Sequence, residues 1–153
     1  MTCLPIYSDT YRDDSAFPML FERTQSGGDS IVYIALHSTL KKLNDLRGFQ
    51  ANWDGRGSVP PTSEKIAQAR ELIEAMHQAL AEVGETWKTP HVAASEEGDV
   101  VMEWWRNDRK LTVYVGGAQP EFFQVWGPNI EDEMRDGAMT PRQFADLWDW
   151  LME

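Results

Sequence analysis

The chain has a single cysteine, no long apolar run and a shortage of basic side chains. Cys3 is that cysteine, so no disulfide can form within the chain and the reducing cytosol is the expected compartment. No window approaches the roughly 18 apolar residues of a membrane-spanning helix, and the first residues lack the basic and apolar segments of a secretory signal. The sequence therefore predicts a cytoplasmic protein with no membrane association.

The shortage of basic side chains gives the chain a strong negative charge. Acidic residues outnumber lysine and arginine by 25 to 14, for a formal net charge of −11. Residues 93–153 carry 13 acids and 5 bases, net −8, whereas residues 1–92 carry 12 acids and 9 bases, net −3. Negative charge repels a phosphate backbone, so direct nucleic-acid binding is disfavoured. The second half of the chain instead predicts a negative surface for a basic protein partner.

Motifs of catalysis and ligand binding are also missing. His37, His77 and His91 are the only histidines, and their spacing matches no zinc signature. The glycine pairs fit neither a Walker loop nor a dinucleotide-binding loop, and no Gly-x-Ser-x-Gly elbow occurs. We expect no metal, no cofactor and no catalytic residue, which favours a non-enzymatic role. A catalytic triad assembled from residues distant in sequence stays open.

The positions of proline, glycine and apolar residues divide the chain into two segments. Residues 1–28 mix proline, glycine and aromatic residues without a regular period and are predicted to form an irregular arm. Residues 29–153 are predicted to form one domain, which suits a chain of this length. Apolar residues at spacings of three and four predict helices over residues 30–47, 62–84 and 140–153. The expected N-caps are Asp29 or Ser30, Thr62 or Ser63, and Thr140, and Gly48 and Gly84 end the first two helices.

Between the second and third helices the apolar period changes to two, which indicates strands. If Asn107 and Asp108 form a two-residue turn, one register sets Val100 opposite Val115, Met102 opposite Val113 and Trp104 opposite Leu111. Further strands are expected at residues 91–94 and 121–126, with an acidic loop at residues 127–139. The predicted fold is α+β, a three- or four-stranded antiparallel sheet with helices on one face, in the order ααββββα.

A glycine-rich loop joins the first two helices, and it is predicted to be a rigid structural connector. Its residues are Asn52, Trp53, Asp54, Gly55 and Gly57. With its Trp-Asp-Gly-x-Gly pattern between two helices and the later Glu103-Trp104 strand, the chain resembles a loose group of small, functionally uncharacterised bacterial proteins. The resemblance covers roughly residues 35–115. It implies an arrangement of helices and strands but no activity.

The aromatic and acidic residues of the second half are the candidate partner-binding residues. The strand registers do not allow every aromatic residue to face the core, so some are available for contact. The predicted contact residues are Trp105, Tyr114, Trp126, Glu131, Asp132, Glu133 and Asp136. Together with the charge, they predict an interaction protein that docks on a basic partner. An antitoxin, an immunity protein or a phage-type inhibitor of a nucleic-acid-binding defence complex fits this description.

Other roles stay open from the sequence. One is a small enzyme or ligand-binding domain with a cleft around Asp54 and Arg56, joined by His91 or Glu103. Another is an accessory subunit whose N-terminal arm orders only on assembly, and that arm is also a candidate cover for the aromatic residues. Homo-oligomerisation is likewise open.

Overall fold

The computed structural model describes the main chain of residues 27–153 and the side chains of residues 33–153. The chain divides into two units, residues 1–34 and residues 35–153. The described part of the first unit is the beginning of helix α1, which spans Gly27–Asp45. The arm predicted over residues 1–28 lies outside the described residues, except that Gly27 and Gly28 are already helical.

The second unit contains the predicted helices. After α1 come a short 3-10 helix at Leu46–Gly48, helix α2 at Ser63–Glu82 and helix α3 at Pro141–Met152. The hydroxyl oxygens of Thr62 and Thr140 accept the N-capping hydrogen bonds of α2 and α3, as their sequences predict. None of the described helices combines the length and the apolar character that crossing a membrane requires.

Five strands form one antiparallel sheet in which each strand pairs with the next along the chain. They are β1 (His91–Ala94), β2 (Val100–Arg106), β3 (Arg109–Val115), β4 (Glu121–Val125) and β5 (Met134–Ala138). The α+β class, with helices α1 and α2 before the sheet and α3 after it, is confirmed, with one strand more than expected.

The extra strand, β5, replaces the second half of the acidic loop predicted over residues 127–139. Its sequence, Met-Arg-Asp-Gly-Ala, has no alternation of apolar residues. The strand lies at the edge of the sheet, where it pairs with β4. Main-chain hydrogen bonds hold such a strand whatever its side chains are, so the sequence gives no signal for it.

The β2–β3 hairpin has the predicted register. Val100 pairs with Val115, Met102 with Val113 and Trp104 with Leu111, and the connection is the two-residue turn Asn107-Asp108. Asn107 has a positive φ of 56°, as hairpin turns of this kind require. This agreement fixes which side chains of β2 and β3 share a face.

Four buried aromatic rings join the sheet to the helices. Trp104 of β2 lies 5.7 Å from Trp87, 5.4 Å from Phe144 and 5.8 Å from Trp148 between ring centres. The indole of Trp87 donates to Thr39 Oγ1 at 3.0 Å, and that of Trp104 donates to the Lys88 carbonyl at 2.8 Å. Because both indole N–H groups are satisfied, the rings contribute their full apolar burial to the core.

The buried stripe of α2 differs from the prediction at one end. The spacing of three and four over residues 62–84 puts Val83 on the core side of the helix, but Val83 is 60% exposed, whereas Leu72 is buried. The helix ends at Glu82, so Val83 has already left the helical path that the spacing rule assumes.

Candidate functional site

Because side chains alternate along a strand, the sheet has two faces of different character. One face, with Met102, Trp104 and Val113, is buried against the helices. We call the other the open face, because it points away from α2 and α3. Its aromatic and charged side chains, in chain order, are His91, Glu103, Trp105, Lys110, Tyr114, Glu121, Phe123 and Asp136.

Trp105 marks one end of the open face. Its side chain is 55% exposed, and the Lys110 ammonium lies 5.2 Å above its ring. Lys110 also forms an ion pair of 2.7 Å with Glu103 on the neighbouring strand. Lys110, the one lysine or arginine on this face among residues 33–153, is therefore engaged twice, by a carboxylate and by an indole.

A cleft lies at the other end of the open face, with a volume of about 400 Å³. Tyr114 and Phe123 form an edge-to-face pair in it, with ring centres 5.3 Å apart, and Glu121 lines it beside them. Asp99 also lines it, but the Lys65 ammonium lies 2.9 Å from this carboxylate. We call this the open-face cleft. Of its two carboxylates, that of Glu121 has no basic side chain within ion-pair distance among residues 33–153.

The predicted contact residues are divided between two parts of the sheet. Trp105, Tyr114 and Asp136 belong to the open face, in line with their register. Trp126 follows the last residue of β4 and packs edge-to-face against Trp150 of α3 at 6.3 Å. It therefore lies on the helix side and does not join the other two aromatic residues.

The three predicted loop carboxylates lie in the connection between β4 and β5. Asn129 organises this loop, because its side chain donates to Asp132 Oδ2 at 2.8 Å and accepts from the Glu131 N–H. The Glu133 N–H donates to the Asn129 carbonyl at 2.7 Å, and its carboxylate packs over Gly127. Glu131 and Asp132 are exposed, so their charge is presented to solvent from a hydrogen-bonded turn.

A second cleft, of about 440 Å³, lies between the end of α3 and the helix side of β3, β4 and β5. We call it the arginine-tryptophan cleft; it is lined by Asp108, Arg109, Gln124, Trp126, Arg135 and Trp150. Arg109 donates to the Trp150 carbonyl at the end of α3, and its guanidinium lies 5.3 Å from the Trp150 ring centre. Arg135 donates to Gln124 Oε1 at 2.9 Å.

The glycine-rich loop has the rigid form that its sequence predicts. Asn52, Gly55 and Gly57 all have positive φ, and Asn52 Oδ1 accepts from the Gly57 N–H. The loop is tied to the β1–β2 turn, because the Val59 N–H donates to the Glu96 carbonyl at 2.9 Å. Trp53 packs on Phe49 at 4.9 Å and donates to the Val59 carbonyl. The loop therefore connects α1 and the short 3-10 helix to the sheet.

The Asp54 carboxylate accepts a hydrogen bond from within this loop. The nearby Ser58 hydroxyl and the Arg56 main-chain N–H, which donates to Asp54 Oδ1 at 2.9 Å, favour the anion and lower the pKa of Asp54. Ser58 Oγ is itself buried, and within the described residues it reaches no partner at regular hydrogen-bond geometry. The Arg56 contact is thus the firmer of the two, and it is an Asx turn rather than a contact between charged side chains.

The alternative cleft around Asp54 and Arg56 does not include His91 or Glu103. The loop meets the sheet at Glu96, beyond the end of β1, whereas His91 begins that strand. At about 3.3 Å per residue, roughly 15 Å separates His91 from Glu96. Glu103 lies beside His91 in register. In residues 33–153, no three His, Cys, Asp or Glu side chains come together as a metal site would require.

No family model, curated protein or solved structure matches this chain. The resemblance to the Trp-Asp-Gly-x-Gly group stays a prediction.

Several residues of both clefts have no signal in the sequence that marks them as site residues. The sequence predicts Glu121 and Phe123 only as part of a strand, although their alternation in β4 puts them on one face. The register of β3 and β4 places them beside Tyr114 and Thr112, and the five-residue connection at residues 116–120 does not define that register as a two-residue turn would. Gln124 and Arg135 meet only because β5 exists, and β5 has no sequence signal.

Proposed function

We propose that this protein is a non-enzymatic interaction module that docks an acidic surface on a basic partner protein. The observation that carries the proposal is the composition of the open face, where three carboxylates and one ammonium lie among three large aromatic side chains. Aromatic side chains rimmed by charge are typical of protein-binding surfaces, and the excess negative charge favours a positive partner.

Two carboxylates of this face are available for a new ion pair. Glu121 and Asp136 are both exposed, and no basic side chain among residues 33–153 lies within ion-pair distance of either. Glu103, by contrast, is already paired with Lys110. A partner lysine or arginine therefore gains an attraction at Glu121 and Asp136 without displacing an existing contact in the described part of the chain.

The open-face cleft supports an arginine or lysine side chain as the group inserted. Tyr114 and Phe123 offer aromatic surface to a cation, and Glu121 offers a carboxylate at the same opening. A cation between an aromatic ring and a carboxylate gains from both, and more so as water leaves the cleft. The acidic loop at Glu131 and Asp132 adds attraction at the other end of β4.

Such a surface suits an inhibitor of a protein that binds nucleic acid. Carboxylates of the docked module would occupy the positions that phosphates occupy in the partner's basic groove. We therefore propose an antitoxin, an immunity protein or a phage-type inhibitor of a nucleic-acid-binding defence complex as the kind of role. The net charge of −11 also speeds association with such a partner at low salt.

The proposal is tested by three double variants that each remove two negative charges. Glu121→Gln with Asp136→Asn changes the open face, Glu131→Gln with Asp132→Asn changes the acidic loop, and Glu71→Gln with Glu85→Gln is the control on exposed positions elsewhere. The measurement is quantitative affinity capture from cells with isotope labelling. We expect a set of basic proteins whose enrichment falls severalfold with the first two variants and with added salt, and stays constant with the control.

Two results would contradict the proposal. One is equal loss of enrichment with the control variant, because that reflects net charge and not this surface. The other is a concentration-dependent dimer of the wild-type chain, measured by analytical ultracentrifugation, that Trp105→Ala converts to a monomer. The open face would then be an interface between two copies of the chain.

A further inference from the structure

We infer that the arginine-tryptophan cleft is a binding site for a small aromatic carboxylate. This site is separate from the proposed docking surface, because it lies on the helix side of the sheet and at the opposite end from the open-face cleft. Its volume of about 440 Å³ falls in the range of small-molecule sites. Asp108, Arg109 and Arg135 are its charged lining residues, and Arg109 also lies 3.4 Å from Glu153 Oε1, so Arg135 is the guanidinium that a ligand carboxylate would meet.

Gln124 offers one of the polar contacts of this cleft. Gln124 is only 4% exposed and lines the cleft. Its Oε1 accepts from Arg135 Nε, whereas its amide nitrogen has no acceptor within residues 33–153. A ligand oxygen in the cleft can accept a hydrogen bond from this amide nitrogen.

Arg135 supplies the charge beside this donor. Its Nε is held by Gln124, which fixes the orientation of the guanidinium, and no carboxylate of the described side chains lies within ion-pair distance of its terminal nitrogens. Gln124 and Arg135 are paired in register on adjacent strands, so both donors project from one rigid surface. A carboxylate fits this pair of donors, one oxygen to each.

Trp126 and Trp150 supply the surface for the rest of the ligand. Their rings meet edge to face at 6.3 Å, and neither indole N–H donates to an atom of residues 33–153. Arg109 holds Trp150 in place through its contacts with the ring and with the Trp150 carbonyl. A flat aromatic ring gains stacking and apolar contact against two indoles, which an inorganic anion does not.

The test uses 1-naphthoate as the probe and 1-naphthamide as its neutral counterpart. Binding is followed by 1H–15N NMR of the tryptophan Nε1–H and arginine Nε–H signals of the full chain. We expect naphthoate to shift the signals of Trp126, Trp150 and Arg135, and naphthamide to bind roughly tenfold more weakly because it loses the charge-assisted contact. Inorganic phosphate, which has charge but no ring, is expected to leave both indole signals unchanged.

Two variants and a matched control decide the residues involved. Arg135→Gln is expected to weaken naphthoate binding at least tenfold, and Gln124→Glu is expected to abolish it while keeping an acceptor for Arg135. Arg142→Gln removes the same charge from an exposed position in the first turn of α3 and is expected to change affinity less than twofold. Equal affinity for the acid and the amide, or equal loss with Arg142→Gln, would overturn the inference, as would the absence of any shift at millimolar naphthoate.

Discussion

Trp104 and Trp105 are neighbours in sequence and belong to opposite faces of the same sheet. Trp104 is 4% exposed among the rings of Trp87, Phe144 and Trp148, whereas Trp105 is 55% exposed beside Lys110. The same side chain therefore serves stability on one face and is available for contact on the other. The difference arises only from the pleat of the strand, which reverses direction at each residue.

The two clefts repeat this contrast in charge. The open-face cleft combines aromatic rings with Glu121, whereas the arginine-tryptophan cleft combines indoles with Arg109 and Arg135. An acidic chain can thus carry a cleft lined by guanidinium groups, because net charge is a sum over the whole surface and a cleft is defined by a few local groups. The two sites are expected to select ligands of opposite sign.

The largest expected effect concerns the two tryptophans. Trp104→Ala should lower the free energy of unfolding by about 3 to 5 kcal/mol, since it leaves a cavity in the buried cluster. Trp105→Ala should lower it by about 1 kcal/mol or less, because little buried contact is lost. Urea unfolding followed by circular dichroism measures both. If the two variants lose similar stability, Trp105 is covered in the folded chain and the open face is not a free surface.

Gly116 and Gly117 are a second pair of neighbours in sequence with different surroundings, and both line the open-face cleft. A methyl group added at Gly116 would overlap the Asp99 carboxylate and displace it from Lys65, while Gly117 has open space around it. Gly116→Ala should therefore cost about 1 to 2 kcal/mol of unfolding free energy through overpacking and the disturbed ion pair. Gly117→Ala, the matched control, should stay within about 0.5 kcal/mol of wild type. Equal losses would mean that the cleft wall relaxes freely around Asp99.

How far the sequence predicts these features depends on whether they are local. The hairpin register follows from alternation around Asn107, and the caps follow from Thr62 and Thr140, because each is decided within a few residues. The fifth strand could not be predicted, since an edge strand needs only main-chain pairing. The arginine-tryptophan cleft could not be predicted either. Arg109 and Trp150 meet there across 41 positions of sequence, which no local pattern encodes.

The smallest expected effect concerns Asp54, whose carboxylate stabilises its own loop and belongs to neither cleft. The pKa of Asp54 is lowered by the Ser58 hydroxyl and the Arg56 N–H, so its stabilising contribution is present above the ordinary value of 3.8 and is lost as the pH falls through the lower folded value. Asp54→Asn should therefore be slightly less stable than wild type at pH 7, and the difference should shrink as the pH drops below about 3.8. Thermal unfolding across this range measures it.

Arg56→Ala is the control for this prediction, because the contact with Asp54 is made by the main-chain N–H and survives the loss of the guanidinium. Adding Asp54→Asn to Arg56→Ala should change stability with the same pH dependence as adding Asp54→Asn to the wild type. If Arg56→Ala removes that dependence, the guanidinium acts directly on the carboxylate. Asp54 and Arg56 would then form a charged pair in a glycine-rich loop, and the ligand-binding alternative at this loop would regain support over a purely structural role.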